Sequence, residues 1–254
     1  MNERRRTFVL TFGRSGSSLL CALMSDAGAD FGLAAPLQWD PRDGVLEHPD
    51  IKRAAHHMRR AFDIDHGRRY RFSPELEARW RRRRARHWLT RALPQARCFK
   101  IGDLDLLVQM SFSLGYEPRV VLNYRDFEHA LASTLVGRKH IGPDELAADY
   151  VRICRQGVVL LQTFGGCVVG YEEMLGEPGG PWLNALAQSA GLEVGALRQA
   201  AAKRIRGNAP ALADTRSLYP ECRRLHELLR ELSGRCFAPS RTVVRAIEGR
   251  RGKR

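Results

Sequence analysis

The chain has 254 residues, with 42 Lys and Arg against 28 Asp and Glu, and a formal net charge of +14. That length suits one α/β domain with a full core, residues 1–254, and no apolar run is long enough to span a bilayer. An apolar run starts within seven residues of the N-terminus, which leaves no room for a signal peptide, and the six scattered cysteines include no Cys-x-x-Cys pair. They read as reduced residues of a cytoplasmic protein.

Residues 7–12, Thr-Phe-Val-Leu-Thr-Phe, form a short β-favouring run. Gly13-Arg14-Ser15-Gly16-Ser17-Ser18-Leu19-Leu20 follows directly, and Cys21-Ala22-Leu23-Met24 continues as a helix. The motif therefore sits where a strand turns into a helix. The first N–H groups of such a helix lack intrahelical partners, and the helix dipole adds positive potential there. Glycines, hydroxyls and an arginine at that point make an anion site, most naturally for a phosphate. It is not a Walker A loop: only two residues separate Gly13 from Gly16, and no lysine follows. The Rossmann fingerprint fails too, for want of a third glycine. The plain alternative is a serine-rich turn capping a core helix.

Further along, Ser73-Pro74 reads as an N-cap with proline at the first helical position, opening a helix to about residue 92. Its run Trp80-Arg81-Arg82-Arg83-Arg84-Ala85-Arg86-His87-Trp88 is the densest basic patch. On a helix these charges spread around the axis, so no clean nucleic-acid stripe results. A solvated basic helix, an anionic acceptor or membrane surface, and a nucleic acid are the three readings, with no specific nucleic-acid partner expected. Residues 98–101, 119–124 and 167–170 read as further strands. Arg125-Asp126 follows the third strand, and a helical pattern containing Ser133 follows that. A helix spans residues 143–164 and ends at Gly165-Gly166; residues 176–181 are a loop. Strands separated by helices favour a three-layer α/β sandwich around a mostly parallel sheet. Residues 238–254 read as a mobile basic tail. No cluster of His, Cys and carboxylates has metal-ligand spacing; His56 and His57 are adjacent and point different ways on a helix.

The stretch from Gly13 to Leu20 resembles the 5′-phosphosulfate loop of sulfotransferases, and Arg125 with Ser133, eight residues apart, resembles the pair that grips the 3′-phosphate of 3′-phosphoadenosine 5′-phosphosulfate (PAPS) in that family. Lys100, 25 residues ahead of Arg125, resembles the family's strand-end lysine. The turn from Ala27 to Gly32, with Asp43-Gly44-Val45-Leu46-Glu47-His48-Pro49, resembles a bacterial sulfotransferase pattern in which Gly-x-x-Glu precedes a helix. Residues 168–175 resemble its late strand and Tyr-Glu-Asp-Leu segment. The resemblance covers about residues 7–195. It implies a P-loop NTPase-like sulfotransferase fold and transfer of a sulfuryl group from PAPS, without a metal, to a hydroxyl of a carbohydrate, lipid-linked sugar, small alcohol or phenol, or peptide tyrosine. Arg14, Ser15, Gly16, Ser17, Ser18, Leu19, Arg125 and Ser133 would bind the nucleotide, with Arg14, Lys100 and Glu47 in catalytic roles.

The chain departs from the family at three points. Gly13 stands where proline is usual, and Phe127 replaces the proline of Arg-Asp-Pro. Gly102 stands where many members place a catalytic histidine, two residues after the lysine. The base must come from elsewhere. Glu47 is the first candidate and His48 its neighbour and competitor, since imidazole as a side-chain type is suited to proton transfer at neutral pH. Glu47 ahead of Pro49 also fits a purely structural role at a helix's positive end. A non-catalytic protein that binds a nucleotide or polyanion is the alternative function, and a P-loop-like phosphotransferase a third. Cys21 reads as a packing residue.

Overall fold

The computed structural model describes residues 3–32, 46–62, 73–102, 105–137, 142–177, 179–205 and 219–251. The segment Asp43-Gly44-Val45, residues 252–254 and Pro178 of the expected loop lie outside the described residues. Five strands, β1 (Arg5–Thr11), β2 (Cys98–Gly102), β3 (Glu117–Tyr124), β4 (Gly166–Gly170) and β5 (Cys236–Phe237), form one sheet in the order β2-β1-β3-β4-β5. The first four are parallel, and β5 runs antiparallel to β4.

The strands read as apolar runs because both of their faces are covered. Phe8, Leu10, Val120, Leu122 and Val168 point to one core, while Val9, Val121, Cys167 and Val169 point to the other. Helix α1 (Ser17–Asp26) supplies Leu20, Leu23 and Met24 to the second core, beside α8 (Pro181–Ala190) and α9 (Val194–Arg204). The first core is roofed by α2 (Pro49–Phe62), α3 (Pro74–Ala92), α4 (Asp105–Ser113), α5 (Phe127–Gly137), α6 (Pro143–Phe164) and α10 (Pro220–Leu232). The result is an α/β architecture with helices on both faces of a mostly parallel sheet. A short α7 (Tyr171–Gly176) leaves β4 directly.

Local chemistry sets several boundaries. The Ser73 side chain accepts from the Leu76 N–H, and Pro74 opens α3, as the sequence leads one to expect. Helix α6 ends at Gly165 with φ +75°, and a Cβ on Gly166 (φ +141°) would lie 1.8 Å from the Val120 carbonyl oxygen. That pair of glycines lets the chain reverse and enter the sheet beside β3.

Within the stretch 238–254, expected as a mobile tail, residues 241–251 are helical. After β5, helix α11 (Arg241–Arg251) returns with Val243 buried in the first core. A two-residue strand has no periodicity to read, and the basic composition masked the helix. Among the described residues no helix is long and apolar enough to cross a membrane.

Candidate functional site

Parallel pairing brings the strand ends to one edge. Thr11 lies opposite Asn123, Leu10 opposite Gly102, and Tyr124 opposite Gly170. From this edge α1 leaves β1 toward one face, while α5 and α6 leave β3 toward the other. Two neighbouring strands whose connections depart to opposite faces leave a crevice between their ends, the usual ligand position in open α/β sheets. The Gly13-to-Gly16 loop and Arg125 both sit there.

The loop is tightly specified. Arg14 has φ +63° and Gly16 φ +80°. A left-handed non-glycine residue costs ~1–2 kcal/mol, so Arg14 is held by its surroundings. A Cβ on Gly16 would lie 2.0 Å from the Tyr171 ring, so glycine is required there on both counts. Gly16 is also the N-cap of α1; no side chain caps it and no acidic residue occupies the first turn. The N–H groups that open α1 are thus left for a ligand.

Ser15 departs from its expected role. Its side chain is turned into the sheet, where Oγ donates to Asn123 Oδ1 at 2.9 Å and touches Thr11 Oγ1. Asn123 Nδ2 in turn donates to the Val169 carbonyl at 3.2 Å. This buried chain ties the loop to β3 and β4. Ser15 can offer a ligand only its backbone. Ser17 is buried at the start of α1, and Leu19 packs partly against the second core.

The cations converge on the loop. Arg14 Nε donates to Ser133 Oγ at 3.0 Å, and Arg125 Nη1 donates to the Arg14 carbonyl at 3.2 Å. Arg125 and Ser133, paired by spacing in the sequence, are therefore linked through Arg14 rather than directly. Tyr150 Oη donates to the Arg125 carbonyl at 3.0 Å and pins the end of β3. The Arg125 guanidinium lies 4.6 Å from the centre of the Tyr171 ring, and its Nε is 3.8 Å from Glu172 Oε1. That Nε is buried with no hydrogen-bond partner, as is Glu172 Oε2. On the other side of the loop, Lys100 Nζ donates to Ser18 Oγ at 3.3 Å.

Glu47 reaches the site through Lys100. Its Oε1 is 3.5 Å from Lys100 Nζ and its Oε2 is 3.0 Å from Lys52 Nζ. The carboxylate is 28% exposed, so it remains reachable from solvent. His48 serves the fold rather than the cleft. It is 3% exposed, accepts the Asp50 N–H on Nδ1 at 3.2 Å, and places Nε2 3.1 Å from Gln95 Oε1. Both ring nitrogens are occupied in starting α2 and packing it on Phe99.

Three contributors went unassigned in the sequence: Asn123, Tyr171 and Glu172. A signal for them exists, since all lie at or just beyond the ends of β3 and β4, on the same edge as the loop. Behind them, Tyr124 Oη donates to Glu173 Oε1 at 2.8 Å, and burial pushes that phenol well above its ordinary pKa. Cys21, just behind the loop, is fully buried and its thiol is pushed up to about 12, which fits packing rather than nucleophilic chemistry. Among the described residues no group of three or more His, Cys, Asp or Glu side chains is gathered around a common point for a metal ion. His57 packs edge-on against Trp80. No family model, curated protein or solved structure matches the chain.

Proposed function

We propose that this chain is a PAPS-dependent sulfotransferase with a P-loop-like phosphosulfate site, acting on a hydroxyl of an acceptor. The observation that supports it most is the convergence of an uncapped helix N-terminus, Arg14, Lys100, Arg125 and Ser133 on one crevice. The Arg125 Nε makes no hydrogen bond, only a 3.8 Å ion pair with Glu172, which fits a ligand that brings an anion of its own. Two cationic clusters flank the loop, one around Lys100 and one around Arg125, which suits a nucleotide carrying two separate anionic groups. PAPS, when bound, supplies the sulfuryl group.

The chain's own residues divide the remaining tasks. The first N–H groups of α1 and the Arg14 guanidinium hold the 5′-side anion and stabilise charge on the leaving oxygen. Arg125 and Ser133 hold the 3′-phosphate. Lys100, positioned by Ser18 and Glu47, neutralises the group being transferred. Glu47 accepts the acceptor's hydroxyl proton as that oxygen attacks. Lacking lysine after its second glycine, the loop is poorly suited to a nucleoside triphosphate. The free thiols fit a reducing, cytoplasmic setting.

One observation favours a second reading, a nucleotide binder without catalysis. Glu47 is already flanked by two ammonium groups, and Gly102 offers no substitute base. A thermal-shift titration followed by turnover separates the readings. Stabilisation by 3′,5′-adenosine bisphosphate but not ATP, with transfer of label from PAPS to an extract acceptor, supports the enzyme. Stabilisation without transfer supports the binder. Stabilisation by ATP alone points to a phosphotransferase and overturns both.

A further inference from the structure

Helix α3 carries its arginines in two different environments. Toward α2 they are engaged: Arg81 pairs with Glu77 at 2.7 Å and lies over Trp80, and Arg91 lies over Trp88 and near Asp50. Arg53 of α2 also pairs with Asp50 and covers Trp88. Toward α4 the helix presents Arg82, Arg83 and Arg86, all exposed. None of these three guanidinium groups has an ion pair, hydrogen bond or ring contact among the described residues. Spaced one, three and four residues apart, they share one side of the helix.

They rim a pocket of about 500 Å³ between α2, α3 and α4. Met58 of α2, with Leu106 and Met110 of α4, gives it apolar walls, and among the described residues no acidic side chain lines it. The volume falls in the range of small-molecule sites, which combine apolar walls with a few polar groups that fix orientation. Three uncompensated guanidinium groups beside an apolar hollow complement one kind of ligand. Desolvating them without an anion is costly, and two forks can share one acidic head. The pocket shares no lining residue with the crevice at the strand ends.

The geometry points to a second ligand site here, for a soluble single-chain amphipathic anion of the fatty-acid type. Its tail lies against Met58, Leu106 and Met110, and its acidic head sits on Arg82, Arg83 and Arg86. A solvated basic helix explains neither the apolar walls nor the confinement of the acidic partners, among the described residues, to the α2 side.

The test is calorimetry on the full chain with decanoate below its micelle concentration, with decanol, and with anionic phospholipid vesicles. Saturable decanoate binding, at least about tenfold tighter than decanol, is expected. Arg82→Ala/Arg86→Ala should weaken decanoate about tenfold or more while leaving decanol unchanged. Met110→Trp should block both, and Arg223→Ala on α10 should change neither. Both arginines are exposed, so the double variant will fold, as circular dichroism can verify. Absent decanoate binding, equal affinities for decanoate and decanol, or decanoate binding insensitive to the double variant overturns the proposal. Binding to vesicles without binding of monomeric decanoate also overturns it, in favour of a membrane surface.

Discussion

The Tyr171 ring occupies the space a side chain on Gly16 would need, 2.0 Å from where the Cβ would lie. One aromatic residue at the end of β4 thus shapes the loop after β1 and also stacks on Arg125 at the end of β3. Gly16→Ala is expected to cost about 1–3 kcal/mol of stability, from the left-handed φ and the clash together. It should also displace the N-terminus of α1. Urea unfolding and nucleotide titration of the variant measure the two effects.

The Ser15–Asn123–Val169 chain predicts a stability phenotype rather than a binding one. Ser15→Ala leaves the buried Asn123 Oδ1 short of its donor, a loss of about 1–3 kcal/mol. Urea midpoints should fall while nucleotide affinity in the folded protein changes little. A large affinity loss at unchanged stability would place the Ser15 hydroxyl on the ligand instead.

Arg125 should discriminate ligands by their 3′-phosphate. Arg125→Ala is expected to weaken 3′,5′-adenosine bisphosphate about 10- to 100-fold and barely affect 5′-AMP. Calorimetry with both ligands is the check. Equal losses would make Arg125 a structural residue that merely holds Arg14 and Tyr171.

Buried thiols predict alkaline destabilisation. Burial pushes Cys21, Cys98, Cys154 and Cys167 from an ordinary 9.0 up to about 12. Above pH ~9 the unfolded chain ionises these thiols while the folded one does not, so protons are released on unfolding. Their stabilising contribution is complete below that pH and is lost progressively as pH rises toward about 12. Urea midpoints at about pH 8 and pH 10 should show the fall, and cysteine-to-alanine or cysteine-to-valine variants should show less of it.

Much of the framework was legible because local chemistry marks it. Ser73-Pro74 opens α3, Gly165-Gly166 closes α6, and the apolar runs locate β1 to β4 within two residues. The loop's position followed from the strand-to-helix transition alone. What escaped depends on partners distant in sequence. Nothing local distinguishes Ser15, turned into the sheet, from Ser18, turned toward Lys100. That Ser133 meets Arg14 rather than Arg125 is a result of how α5 packs over the loop. His48 resembles a catalytic base in composition, and only its burial between Gln95, Asp50 and Phe99 assigns it to structure.

The proposed sulfuryl transfer at the Arg14 loop is measured by following labelled sulfur from PAPS with the wild-type chain, Arg14→Ala and Glu47→Gln. Turnover by the wild type is expected, with its loss in Arg14→Ala while the fold stays intact, and a kcat lower by about 100-fold or more in Glu47→Gln with PAPS affinity nearly unchanged. Turnover that survives Arg14→Ala, or no turnover by a wild type that binds PAPS, would rule out sulfuryl transfer at this loop.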